Sequence, residues 1–398
     1  MSRVLAAGRR REAAPGFAFL ELLVAMALSL VVAGAIGLLV GPLRAVFEAR
    51  LEANDMEQRL RSAGDGLSGD LLMAGAGAYA GSLIGPLVDY LPPVLPFALT
   101  GSGAIDTSTI TLLYVPATAA QAVLAMPLAA RSGTAAVAFE PGCPVDDAAC
   151  GFVAGLRVLV YDGTGRFDLF TVRGVQGGML DLDHELADSP EIYPAGSKII
   201  VIVVRTYSLD ATDPIEGTRL MRDEGGGTRQ PVVDHVVELR VEYEGSARPP
   251  ELRKPPDDPV GPWTTYGMRP PPANVSAGGW PPGENCLFTI DPGTGLPVPR
   301  EAIVPGATDG ASLVPLVPAI FTDGPWCPDA GATRRFDADL LRIRRIGITV
   351  RIESALDVLR GPAGLLFSRA GSAGTGPARL PDREIRLVVA PRNLTSGR

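Results

Sequence analysis

Lysine, histidine and tryptophan are scarce in this chain of 398 residues. Lys198 and Lys254 are the only exceptions to an all-arginine basic set, which points to a GC-rich genome more than to a function. The only histidines, His184 and His235, lie far from each other and from the cysteines, which leaves little for metal or acid–base chemistry. No GxSxG elbow, P-loop or HExxH pattern occurs, so the familiar catalytic arrangements lack their parts. Net positive charge is also missing. The formal charge is −8; the first sixteen residues, with Arg3, Arg9, Arg10 and Arg11 against Glu12, contribute +3 and the remainder −11. That balance argues against a chain-wide nucleic-acid surface.

A long uncharged run is present. Leu22 to Val40 holds 19 residues without a charge, and a helix of that length spans about 28 Å, close to a hydrocarbon core of about 30 Å. The arginines before it place the N-terminus in the cytoplasm and the bulk of the chain outside. A secretory signal puts a small-residue cleavage site after its apolar core. Here the small residue, Gly16, comes before it, and Glu21 sits inside the apolar stretch. An acid in a membrane helix costs about 2.5–3.5 kcal/mol and marks a functional site by default. The competing reading is a plain signal anchor with one tolerated carboxylate.

Gly16-Phe17-Ala18-Phe19-Leu20-Glu21 resembles the class III prepilin motif of type IV pilins and type II secretion pseudopilins. The resemblance implies that a prepilin peptidase cuts after Gly16 and methylates the new N-terminus at Phe17, and that Glu21 is the family's characteristic acid. Family members more often carry Thr-Leu-Ile between the phenylalanine and the glutamate; Ala18-Phe19-Leu20 keeps the apolar character and loses the hydroxyl. Glu21 of one subunit would then meet the α-amino group of its neighbour and set the axial register, since a buried charge is tolerated when paired.

The helix is expected to continue past the membrane. Val46, Phe47, Leu51, Met56, Leu60, Leu67 and Leu71 form one apolar stripe between charged positions. Gly41-Pro42 predicts a kink or local melting. Gly34, Gly37 and Gly41 would allow close helix approach. The resulting division is a leader at 1–16, a helix at 17–75 (transmembrane 17–40, amphipathic 43–75) and a head at 76–398.

Four cysteines form two sequence-local pairs, and an even count in an exported domain reads as disulfides. Of the three connectivities, Cys143–Cys150 with Cys286–Cys327 is expected, worth about 2.5 and about 4 kcal/mol on chain-entropy grounds. No CxxC spacing supports a metal site instead. Asp181, Asp183 and Glu185 would share one face of a strand and form a calcium candidate, with a solvated strand end as the plainer reading. Asp146-Asp147 in the small cysteine loop is a candidate recognition knob or, more simply, a solvated loop tip. No cofactor is implied.

The head reads as β. Ile110–Val115, a Leu156–Tyr161/Phe167–Val172 hairpin, Lys198–Tyr207, Arg219–Arg222, Val232–Tyr243, Leu341–Ile352 and Glu384–Ala390 carry strand patterns. In Val232–Tyr243, Val237, Leu239, Val241 and Tyr243 alternate with Glu238, Arg240 and Glu242. Gly75–Gly103 reads as a surface loop. Residues 246–333, dense in proline and glycine and containing Trp263, Trp280 and Trp326, form an irregular insertion that cannot supply central strands. The class is α+β, a long helix packed on a mainly antiparallel head.

The order of Arg205–Leu209, Arg219–Arg222, Pro231–Tyr243 and Arg342–Glu353, with Asp382–Arg386 and Pro391–Leu394, is similar to PilW-type minor pilins, with GspJ-type pseudopilins second. The resemblance implies a non-catalytic minor pilin of the bacterial inner membrane, with its head in the periplasm. On that reading it would act in a priming or tip complex, with prepilin peptidase, other pilin or pseudopilin subunits, the inner-membrane assembly machinery and lipid as expected partners. A minor pseudopilin of type II secretion is the runner-up. A signal-anchored periplasmic enzyme or binding protein is the alternative of a different class.

Overall fold

The structure, a computed structural model, describes residues 19–77, 79–80, 83–84, 92–99, 105–118, 120–130, 133–139, 143, 147–162, 167–185, 192–212, 217–225, 229–247, 288–299, 312–318, 321, 338–374 and 379–394. Helix α1 spans Phe19–Met73 and runs unbroken through Gly41 and Pro42, so the expected melting there does not occur. Its second half buries Met56, Leu60, Ala63, Leu67 and Leu71, a three- and four-residue spacing that keeps one face on the core. Gly64 lets that face approach closely: a Cβ there would lie 3.2 Å from Ile385 Cδ1. The helix ends where Gly75 adopts a φ of +75°, the left-handed conformation that favours glycine.

Strands follow in the order β1 (Tyr79–Ala80), β2 (Leu83–Ile84), β3 (Val94–Leu95) and β4 (Ile110–Tyr114). Then come β5 (Gln121–Leu124), β6 (Thr134–Phe139), β7 (Arg157–Tyr161), β8 (Phe167–Gln176), β9 (Met179–His184) and β10 (Lys198–Val201). Next are β11 (Val203–Asp210), β12 (Arg219–Asp223), β13 (Arg229–Val233), β14 (Val236–Ser246), β15 (Phe288–Ile290) and β16 (Pro297–Pro299). The last three are β17 (Leu313–Pro315), β18 (Ile343–Ile352) and β19 (Arg383–Val389). Among the described residues all strand pairing is antiparallel, and the class is α+β as expected.

The head is not one sheet. β13-β12-β11-β4-β3 form a five-stranded sheet and β17-β14-β18-β19 a four-stranded one. β10-β5-β6-β9-β8-β7 close into a barrel. The helix and the two open sheets share one core, centred on Leu67, Leu112, Tyr207, Leu239 and Ile348. The barrel encloses a second, with Phe152, Val158, Val160, Phe170, Leu180 and Ile199. Successive residues point to opposite faces of a strand. Val158 and Val160 therefore fill the barrel while Leu159 and Tyr161 reach the main core, which is why β7 is apolar on both faces.

Three sequence expectations need correction. Lys198–Tyr207 is not one strand: it divides at Ile202, where the chain leaves the barrel as β10 and enters the five-stranded sheet as β11. Val232–Tyr243 also divides, at a turn where His235 takes a φ of +54°. A bulge after Val236 then places that residue, rather than Val237, on the core face with Leu239, Val241 and Tyr243. Gly75–Gly103 is not wholly surface loop, since Val94 and Leu95 are buried as β3 beside β4. From the proline-rich insertion, the described strands are the β15–β16 hairpin and β17, which lies at a sheet edge as proline requires.

Candidate functional site

The first half of α1 differs from the rest of the chain. Phe19–Leu38 has a mean hydropathy of 2.4, is long and apolar enough to cross a membrane, and has none of its length buried. At about 1.5 Å per residue its 20 residues cover about 30 Å. Leu20, Val24, Ala25 and Leu28 flank Glu21 along a shallow apolar groove. A Cβ on Gly34 or Gly37 would meet nothing within 4 Å, so within the chain these glycines leave open space. Gly16 and Phe17, the expected cleavage and methylation positions, lie outside the described residues.

Polar ties hold the second half of the helix to the head. Asp70, buried, accepts a hydrogen bond from the Tyr207 hydroxyl at 2.5 Å and pairs with the Arg205 guanidinium. Burial, then the Asp70 carboxylate, pushes the Tyr207 hydroxyl well above its ordinary pKa, so it remains a donor. Arg205 also sits over the Tyr114 ring at 5.9 Å and lies 3.6 Å from Glu224. Nearer the N-terminal end of the same half, Glu52 accepts from the Ala355 amide at 2.6 Å, and Glu57 pairs with Arg383 at 2.7 Å. Sequence reading missed Asp70, because an acid between Leu67 and Leu71 looks like an ordinary solvated position.

Cys143 and Cys150 form the expected disulfide, with Cα atoms 5.0 Å apart. Asp147 is not a displayed knob. Its carboxylate accepts from the amides of Ala149 at 2.9 Å and Gly151 at 2.6 Å, fixing the turn that delivers Phe152 to the barrel core, 5.9 Å from Phe139. Asp146, Cys286, Cys327, Trp263, Trp280 and Trp326 lie outside the described residues.

The Asp181/Asp183/Glu185 group falls on β9 and its end. Arg173 meets Asp183 at 2.6 Å; Arg157 at 2.7 Å and the Thr171 hydroxyl at 2.5 Å meet Glu185. Two of the three carboxylates are therefore engaged by arginine. Among the described residues no three His, Cys, Asp or Glu side chains are grouped to hold a metal ion. His184, between them in sequence, packs against Phe170 with ring centroids 4.3 Å apart and planes tilted by 52°, and approaches the buried Asp168 at 3.4 Å. No protein-family model and no curated protein sequence matches the chain.

Proposed function

We propose that this chain is a pilin-like, non-catalytic subunit, cleaved after Gly16 by a prepilin peptidase and built at low copy into a type IV pilus. The reading is carried by α1 as a single unbroken helix. Its first half is apolar and exposed, with Glu21 in its first turn, while its second half is fastened into the head. A helix of that kind can leave the bilayer and exchange lipid for neighbouring helices without disturbing the folded domain. The Glu21 carboxylate is costly in lipid, about 2.5–3.5 kcal/mol, and a neighbour's α-amino group would offset that cost. The bulk of the head, two cores rather than one, favours a priming or tip position, because a large subunit crowds a helical lattice.

The test is the intact mass of the N-terminal peptide of membrane-extracted protein from cells with and without the prepilin peptidase. A peptide beginning at methylated Phe17, present only with the peptidase, is the expected result. A chain that still begins at Met1, or is cut beyond Val40, overturns the proposal.

A further inference from the structure

A cavity of about 460 Å³ opens at the outer edge of β14, between two segments that cover that edge. On one side the Val241 amide donates to the Thr107 carbonyl at 2.8 Å; on the other the Leu316 amide donates to the Tyr243 carbonyl at 2.9 Å. The volume lies within the range of small-molecule sites. Its walls are mostly apolar, with Leu316, Val317 and Phe321 opposite Tyr243. The Tyr243 and Phe321 rings, both in its lining, meet edge-on with centroids 5.7 Å apart.

Two polar features set the chemistry. Tyr243 is only 7% exposed, and its hydroxyl has no hydrogen-bond partner among the described residues. A buried hydroxyl left unsatisfied is costly, and a ligand that bonds it removes that cost. Burial, then the nearby Asp106 carboxylate, raises its pKa, so the phenol stays neutral. The second feature is charge. Glu244 is neutralised by Arg345, and Glu242 by Arg386 at 2.9 Å with Arg240 at 3.8 Å. Asp106 is met by neutral donors: the Ser108 amide at 2.9 Å, the Ser108 hydroxyl at 2.6 Å and the Thr109 hydroxyl at 3.2 Å. Among the described residues it has no cationic partner within ion-pair distance, so Asp106 is the one lining carboxylate there without an arginine beside it.

We propose that this cavity binds an organic ammonium ion with an apolar body, the cation toward Asp106 and Tyr243 and the body against Leu316, Val317 and Phe321. Aromatic faces attract cations, an apolar wall favours a hydrocarbon body, and an uncompensated carboxylate selects against anions. The site is independent of the filament reading, since none of its residues lies on α1.

The test uses the full chain in zwitterionic lipid nanodiscs, with empty nanodiscs subtracted. The probe is 2-phenylethylamine, compared with its neutral isostere 2-phenylethanol and the anion 3-phenylpropionate, by ligand-observed NMR titration. The amine should bind saturably and the anion should not. Asp106→Asn should weaken the amine about three- to tenfold while leaving the alcohol unchanged. Val317→Trp, at an exposed rim position, should fill the space and remove binding of both. Melting temperatures of both variants check that the fold is intact. No saturable amine binding, equal binding of the anion, or wild-type binding by Val317→Trp overturns the proposal.

Discussion

The two halves of α1 belong to one helix yet have opposite environments. Phe19–Leu38 buries nothing within the chain, whereas Met56, Ala63, Leu67 and Leu71 are wholly enclosed by the head. Both halves are rich in leucine and alanine, so composition alone does not separate them. The difference lies along the flanks of the buried stripe: the second half carries Glu52, Glu57, Arg59 and Asp70, each tied to a strand or loop of the head, and the only charged residue of the first half, Phe19–Leu38, is Glu21. A hydrophobic stripe with polar flanks stays with its own domain, whereas an apolar surface on every side is completed from outside the chain.

The largest expected effect comes from moving the same substitution between the halves. Leu67→Asp buries an unpaired charge in the main core and should cost more than about 4 kcal/mol, abolishing the cooperative melt of the head. Leu30→Asp should leave that melt unchanged in detergent. Equal melting temperatures for the two variants would end the distinction.

Removing the Cys143–Cys150 staple by Cys143→Ser should cost about 2.5 kcal/mol. Hydrogen exchange should show the loss in β5–β10 first, with the second half of α1 still protected, if the two cores are separable. Tyr207→Phe should cost about 1–2 kcal/mol, since Asp70 keeps Arg205 but loses its hydroxyl donor. The smallest effect concerns pH. Burial holds the His235 imidazole below its ordinary pKa of 6.5. The unfolded chain therefore takes up more protons than the folded one as pH falls below 6.5, and stability declines in that direction. His235→Asn, tolerant of the positive φ, should flatten the fall in urea midpoint between pH 7 and pH 5.5, while substitutions in the first half of α1 should not alter it.

Much of this was legible in the sequence because it is local. The helix expected over 17–75 is observed over Phe19–Met73, and its buried stripe was already visible at Met56, Leu60, Leu67 and Leu71. The short disulfide was legible for the same reason. What escaped depends on distant partners. Barrel closure requires β10 to pair with both β5 and β7, and nothing within Lys198–Val201 announces that choice. The apolar run Lys198–Tyr207 reads as one strand because both products of its division are buried. Asp70 acquires its role from Tyr207, 137 residues later. The cavity beside Tyr243 forms from three separate segments, so an inward-facing tyrosine on an alternating strand gave no sign of it.

The insertion point of the barrel has a mechanical consequence. β4 and β11 are hydrogen-bonded neighbours with Tyr114 opposite Val203, so the chain leaves for the barrel and returns from it at adjacent points. A pull between the start of β4 and the end of β11 acts at the Ile110–Tyr207 end of that ladder and would open it pair by pair before any load reached the barrel. Until that ladder opens, the barrel can change shape without moving Ile110 and Tyr207 apart.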